Sequence, residues 1–380
     1  MNPFDLSTEE IEKLVEKHGT PIYIVSKSKI IENYNRINNA LPAVHIYYAI
    51  KANPHKEILK TLHKIGADFD VASKGEIMQT VSIGANPKDD LIFADPVKDP
   101  KHIEYAHSIG LDDFTYDNES EIIQLGRYAP DTNVHIRIKV SNEGSTAHLS
   151  KKFGAEPKDA VPLLLKAKEV GLIPKGVAFH VGSQCLDTDR YIEALNVTKE
   201  IFDEAKNKGL HLDTVDIGGG FPVKYINEDI NIDKMCKTIV EHYETLFDKN
   251  IILTAEPGRS IVGDAVILVT KVISESKRDK QNWLYFDDGI YGSFLDTLAY
   301  DMEYPMKTNT NGSKNNYVLA GPTCDSIDVF SRKNIHEIRE IELPEMHLDD
   351  LLIVGSMGAY TYSLATKFNG FEPPKFVYIN

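Results

Sequence analysis

Lys51 closes the run YYAIK, a lysine at the end of an aromatic, apolar stretch. An amine placed there can be stripped of water and act as a Schiff-base nucleophile. Taken alone, the run fits a surface lysine just past a strand end equally well. Gly218, Gly219 and Gly220 form an unbroken glycine triplet. With no Cβ in the way, their N–H groups can approach a phosphate closely; a plain tight turn is the alternative. The GxGxxG spacing of a dinucleotide site is absent. Glu256 and Arg259 share the turn EPGR. A buried glutamate can keep a pyridine nitrogen protonated while an arginine takes up phosphate. The alternative is a helix start with a surface ion pair, worth ~0–1 kcal/mol. His180, in FHVGSQ, could lay a flat ring against a planar cofactor, or be a core histidine bonded to backbone. Arg137, inside VHIRIKV, needs a partner if buried, and Asp70 or Glu76 could provide one. From Lys51 to Glu256 the candidates fit one cofactor, a phosphorylated aldehyde on a pyridine ring.

The elements that must hold these groups alternate regularly. Strand candidates run VHIYYAI, DFDVA, LIFA, DFTYD, VHIRIKV, GVAFHVG, TVDIGG and IILTAEP, with amphipathic stretches such as HKEILKTLHKIG and DRYIEALNVTKEIFDEAKNKG between them. Eight strands alternating with helices predict a closed (β/α)8 TIM-like barrel; an open doubly wound sheet is the alternative. Lys51, Asp70, His180, the glycine triplet and Glu256 all sit at or near strand ends, where barrels place their chemistry. Beyond about Val262 the strand-like runs AVILVTKVISES, NWLYFDD, NYVLAGP, EIREIELP, LLIVGS and FVYIN lack long helices between them. They predict an antiparallel β domain, which PIYIVS near the N-terminus could join. The expected division is a barrel over residues 27–262 and a β domain from 1–26 and 263–380.

Composition narrows the function classes. Across 380 residues, Lys+Arg minus Asp+Glu is 42 − 57, a net charge of −15, with no basic block standing against it. Nucleic acid and anionic membranes are therefore excluded as expected partners. Cys185, Cys236 and Cys324 are far apart and odd in number, so neither a disulfide framework nor a metal site is expected. The acidic, amphipathic start MNPFDLSTEEIEKLVEKHG has no apolar core, and no stretch approaches spanning length. A soluble, cytoplasmic enzyme is the expectation.

The segments YYAIKANP, DFDVASKGEI, FHVGSQ, DIGGGFP, AEPGRSIV, DGIYGSF, AYDM, GPTCDSIDV and MGAYTYSLATKFNGF occur in that order. Together they resemble the ornithine decarboxylase family of alanine-racemase-fold (fold type III), pyridoxal 5′-phosphate-dependent enzymes, over nearly the whole chain. The resemblance implies that Lys51 bonds covalently to pyridoxal phosphate, that His180 stacks on its ring and that Glu256 pairs with the pyridine nitrogen. It implies phosphate contacts from Ser183, Gly220, Gly258, Arg259 and Tyr360, with Gly218 and Gly219 kept as cofactor-binding candidates from the triplet itself, and support of the Lys51 side by Asp70, Glu76 and Arg137. Tyr300, Asp301, Cys324, Asp325 and Phe368 are implied at the substrate end. Cys324 is implied to be the acid that protonates Cα. Homodimerisation is implied as well, with each site completed by the partner's β domain.

Ser326 and Gln184 depart from the animal members' pattern and look closer to bacterial or viral relatives, some of which take lysine or arginine. Two carboxylates, Asp325 and Asp301, suit a terminal ammonium. The CDS motif without neighbouring arginines disfavours diaminopimelate. L-Ornithine, giving putrescine for polyamine synthesis, is the expected substrate, with lysine next, then arginine or diaminopimelate. Alanine racemase does not match the GPTCDS context. A decarboxylase-like regulatory protein is disfavoured by Lys51, His180, Arg259, Cys324 and Tyr360. The polar segment Ser141–Lys151 could be a lid or an ordinary exposed connection.

Overall fold

A computed structural model describes residues 1–147, 151–226, 228 and 230–380. The chain divides into two compact units, Asn33–Pro222 with Ile230–Gly258, and Met1–Glu32 with Val223–Asp229 and Arg259–Asn380. Among the described residues, no helix is long and apolar enough to cross a membrane.

In the first unit, strands Val44–Ala49, Asp68–Val71, Leu91–Phe93, Asp113–Tyr116, Asn133–Ile138, Ile173–Phe179, Thr214–Asp216 and Ile252–Ala255 form a closed barrel of eight. Each pairs in parallel with its neighbours, and the last returns to the first through Leu253↔Val44, Thr254↔His45 and Ala255↔Ile46. The open doubly wound sheet is thereby excluded. Its strands are almost wholly buried, and Phe69, Phe93, Phe114, Tyr116 and Phe179 are all below 2% exposed. Parallel strands covered on both faces need this continuous apolar character. Helix starts are written locally. Ser73 accepts from Glu76 N at 3.3 Å and caps Lys74–Val81, while the Glu76 carboxylate reaches back to Ala72 N at 2.7 Å. These two bonds fix Glu76 beside the second strand's end. Of the segment read as a possible lid, residues 148–150 lie outside the described residues; Ser145–Ala147 pairs antiparallel with Ser183–Cys185.

The second unit is built on a mixed sheet. Val266–Arg278 is its spine, antiparallel to Ile22–Ser26, Gln281–Phe286 and Leu351–Val354. PIYIVS thus joins the sheet, as expected. Two pairings run parallel: Ile22–Ser26 with Lys375–Ile379, and Gln281–Phe286 with Lys314–Ala320. A parallel neighbour needs a long crossover, and Asp287–Ser313 supplies one. One face packs Ile22, Ile24, Ile267, Val269, Leu351, Ile353 and Val377 into a dry core. The crossover and the loop after Ala320 carry Tyr291, Cys324 and Asp325.

Candidate active site

In the barrel unit the chemistry-bearing residues gather at the strands' C-terminal ends. The strand register sets Ala49 opposite Asp70, and the chain then tightens into a 3-10 turn, Ile50–Ala52, that carries Lys51. Lys51 Nζ donates to Asp70 Oδ2 at 2.5 Å. Asp70 is 2% exposed, and its Oδ1 has no donor among the described residues. Glu76 adds a third charge-bearing group here: burial pushes its carboxyl up to about 7, and Asp70 adds to that effect.

His180 follows the sixth strand. Its Nδ1 accepts from Gly182 N at 3.0 Å, and Asn142 Nδ2 donates to its carbonyl at 3.1 Å. Burial, then the positive charges of Arg137 and Lys51, hold the imidazole well below its ordinary pKa. It is therefore a neutral ring, suited to lie against another flat ring without a charge penalty. Arg137 corrects one expectation. Its guanidinium pairs with neither Asp70 nor Glu76 but lies over the Phe153 ring, 5.3 Å from the centroid. A half-buried strand position leaves a guanidinium room to stack rather than pair.

The seventh and eighth strands bring two acids together. Glu256 N donates to Gly218 O at 2.8 Å, and Gly218 N donates to Asp216 Oδ1 at 2.7 Å. Burial raises the Glu256 carboxyl well above the usual range, and Asp216 and Asp70 raise it further. Asp216 is raised too, by burial, and its carboxyl faces that of Glu256. Two carboxylates in one dry place cannot both ionise, so the pair holds a proton between them. Asp216 stands in the DIGGGFP segment, yet sequence reasoning passed over it. An acid on an otherwise apolar barrel strand was the available signal.

The glycine triplet packs too tightly for any side chain. A Cβ on Gly219 would lie 2.6 Å from Glu256 O, and one on Gly220 would lie 2.6 Å from Gly182 O and 2.9 Å from Tyr191 Oη. Tyr191 itself donates to Gly219 O at 2.9 Å. Gly220 has φ +102°, where alanine is strained. Gly220→Ala is expected to lower stability by ~1–3 kcal/mol, read by thermal unfolding; a variant as stable as the parent would contradict the packing described. Gly258 is equally confined, 2.9 Å from Ala52 Cβ by the same construction. Ser183 lies on the short strand beside this rim, where Cys185 N donates to Gly220 O at 2.9 Å.

In the other unit, Arg259 is 7% exposed. Its Nη1 donates to Tyr225 Oη at 2.5 Å, and its Cζ sits 4.8 Å over the Tyr360 ring. Tyr360 is held at φ +58°. Tyr225 and Asp296, both beside Arg259, were missed in sequence because only the folded sheet brings them near.

A second cluster in that unit gathers most of the substrate-end candidates. Tyr291 donates to Asp325 Oδ2 at 2.5 Å, and its ring stacks on Phe368 at 4.4 Å. Cys324 is exposed, and its N–H donates to Asn369 Oδ1 at 3.1 Å. The bond from Tyr291, then that from Ile327 N, holds the Asp325 carboxyl below its ordinary range, while the phenol is pushed up to about 12. Asp301 stands apart from this cluster, since Arg339 clamps its carboxylate together with that of Glu303. Tyr300, beside it, donates its backbone N–H to Asp296 O at 2.9 Å.

Comparison with known proteins identifies the family. Residues 27–263 match the family model for the pyridoxal binding domain of pyridoxal-dependent decarboxylases. A lysine/ornithine decarboxylase of Selenomonas ruminantium is 40% identical over 374 residues, 98% of this chain and 92% of its own. This chain is a pyridoxal-dependent decarboxylase. Two solved decarboxylase structures share its fold. SrLDC in complex with PLP and cadaverine is 38% identical, with a TM-score of 0.92 over 100% of this chain and 95% of its own. A lysine/ornithine decarboxylase from Vibrio vulnificus complexed with putrescine is 37% identical, with a TM-score of 0.90 over 98% of both chains.

The decarboxylase belongs to the alanine-racemase-fold group that includes ornithine decarboxylase, uses pyridoxal 5′-phosphate and acts on a basic amino acid. Its residues fit that cofactor. The orphaned Oδ1 of Asp70 marks a buried polar space that the described residues do not satisfy. The glycine rim admits no Cβ, and a neutral histidine and a proton-holding glutamate stand at the same barrel end. When bound, the cofactor supplies the electron sink that makes loss of CO2 from Cα feasible.

Proposed function

We propose that this decarboxylase converts L-ornithine to putrescine and CO2, within polyamine synthesis. In this reading Lys51 is the amine that bonds the cofactor and Asp70 aims it. His180 lies against the ring, and Glu256 takes its nitrogen. Ser183, the glycine triplet, Gly258, Arg259 and Tyr360 receive the phosphate. Holding the Cα–carboxylate bond perpendicular to a flat conjugated system is a matter of orientation, which rigid strand ends supply.

The observation that carries the substrate assignment is Asp325. It is kept ionised by Tyr291 beside the apolar wall of Phe368, and it presents one carboxylate to one terminal ammonium. Asp301 and Tyr300 stand apart from this cluster, Asp301 being held by Arg339, so Asp325 is the distal carboxylate in this reading. Comparing kcat/KM for ornithine, lysine, arginine and meso-diaminopimelate tests this. Ornithine is expected to lead lysine by about tenfold, because one methylene in a fitted pocket is worth ~1–3 kcal/mol. Preference for arginine or diaminopimelate would overturn the assignment. A dual lysine/ornithine preference is the second reading, favoured by the relative of that name at 40% identity.

Cys324 is the proposed acid that protonates Cα after CO2 leaves. Its exposure on the β unit supports a homodimer in which residues 1–26 and 263–380 complete the partner's site on the barrel of residues 27–262. Cys324→Ala is expected to divert turnover into deamination, seen as aldehyde beside the amine. A variant making the amine alone would remove Cys324 from that role. Three unpaired cysteines and an acidic composition support a reducing, cytoplasmic setting.

A further inference from the structure

Arg259 has a buried acidic neighbour that does not hydrogen-bond it. Asp296 is 5% exposed, and its Oδ2 lies 3.9 Å from Arg259 Nη2, beyond hydrogen-bonding reach. That oxygen has no donor among the described residues. Arg259 is oriented by other groups: Tyr225 Oη accepts from Nη1, and the Tyr360 ring lies under the guanidinium. A carboxylate that positioned the arginine would bond it directly. This one contributes charge alone.

We propose that Asp296 is a built-in counter-ion that weakens the grip of Arg259 on the cofactor's phosphate. The inference rests on the reading that Arg259 binds that phosphate. A phosphate monoester brings ≈ −1.5 to −2 charges at neutral pH, and at Arg259 it meets a second anion in the same dry place. Repulsion there is poorly screened. The groups facing Asp296 are Arg259, Tyr225 and Tyr304. Arg259 stays charged throughout, and burial raises the Tyr225 and Tyr304 phenols, so both stay neutral. Asp296 is the group that changes: burial pushes its carboxyl up to about 6, against the pull of Arg259. Above that pH it is ionised and opposes phosphate. Below it the carboxyl is protonated and the opposition is gone.

The test loads the full chain with pyridoxal phosphate and measures its Kd by equilibrium dialysis at about pH 8 and about pH 5.5. Pyridoxal, which lacks the phosphate, is the second probe. Asp296→Asn is expected to bind pyridoxal phosphate about tenfold more tightly at the higher pH, with the gain shrinking toward none at the lower pH. Pyridoxal affinity should stay unchanged, and Asp296→Glu, which keeps the charge, should stay near the parent. Asp296→Ser serves if the asparagine variant fails to fold. Unchanged or weaker phosphate-form binding in Asp296→Asn, or an equal gain for pyridoxal, overturns the proposal. Arg259→Gln separates the two layers. If it fails to lower affinity for the phosphate form selectively, the phosphate reading falls and the proposal with it. If it does lower it while Asp296→Asn has no effect, the proposal alone falls.

Discussion

Lys51→Ala is expected to lower kcat by roughly 10³-fold or more, and Lys51→Arg by the same amount. The pairing of these variants carries the argument. Lys51 donates to Asp70 at 2.5 Å, and an arginine could keep both that ion pair and the positive charge. It could not form a covalent bond to an aldehyde. If the residue served only as a counter-ion for Asp70, the arginine variant would recover activity. If it is the bonding amine, both variants fail alike, and added small primary amines restore part of the rate in Lys51→Ala. Steady-state kinetics with and without added amine distinguishes these outcomes.

Glu256→Gln is expected to move activity and stability in opposite directions. Its carboxyl is raised by burial first, then by Asp216 and Asp70, with Lys51 pulling the other way. An acid whose folded pKa lies above its unfolded value contributes stability at low pH, and that stability is lost as pH rises through the folded value. The cofactor-free chain therefore carries an unfavourable carboxyl pair at pH 8. An amide in place of Glu256 relieves it, and a gain of about 1 kcal/mol would raise Tm by ~2–4 °C. The same amide cannot hold a protonated ring nitrogen as an anion does, so kcat should fall by ~10²–10³. Thermal unfolding of the cofactor-free form and kinetics of the loaded form give the two readings. A variant that is less stable and near-normal in rate would contradict both parts.

Much of the barrel was legible because its strands obey local rules. A buried parallel strand needs a continuous apolar run, each helix needs a cap, and the chemistry falls where one gives way to the other. Lys51, His180 and Glu256 stand at those junctions and could be picked out by position. The mixed character of the second sheet was not legible. Alternation along Gln281–Phe286 says which face is buried, whereas its parallel partner Lys314–Ala320 is chosen by a crossover. The same limit explains Asp216, Tyr225 and Asp296. Each is an ordinary residue in its own segment, and is brought beside Glu256 or Arg259 only across strands or loops distant in sequence. Arg137 shows the reverse error: sequence offered it two acids, and the fold gave it the face of Phe153.

Reduction of the native, cofactor-loaded protein with borohydride, followed by digestion and peptide mapping, bears most directly on the chemistry assigned to the barrel mouth. The pyridoxyl group should be found on the peptide containing YYAIKANP, bonded to Lys51 Nζ, and should be missing from Lys51→Arg. Its recovery on a different lysine, or on none, would contradict the assignment of Lys51 as the amine that holds the cofactor.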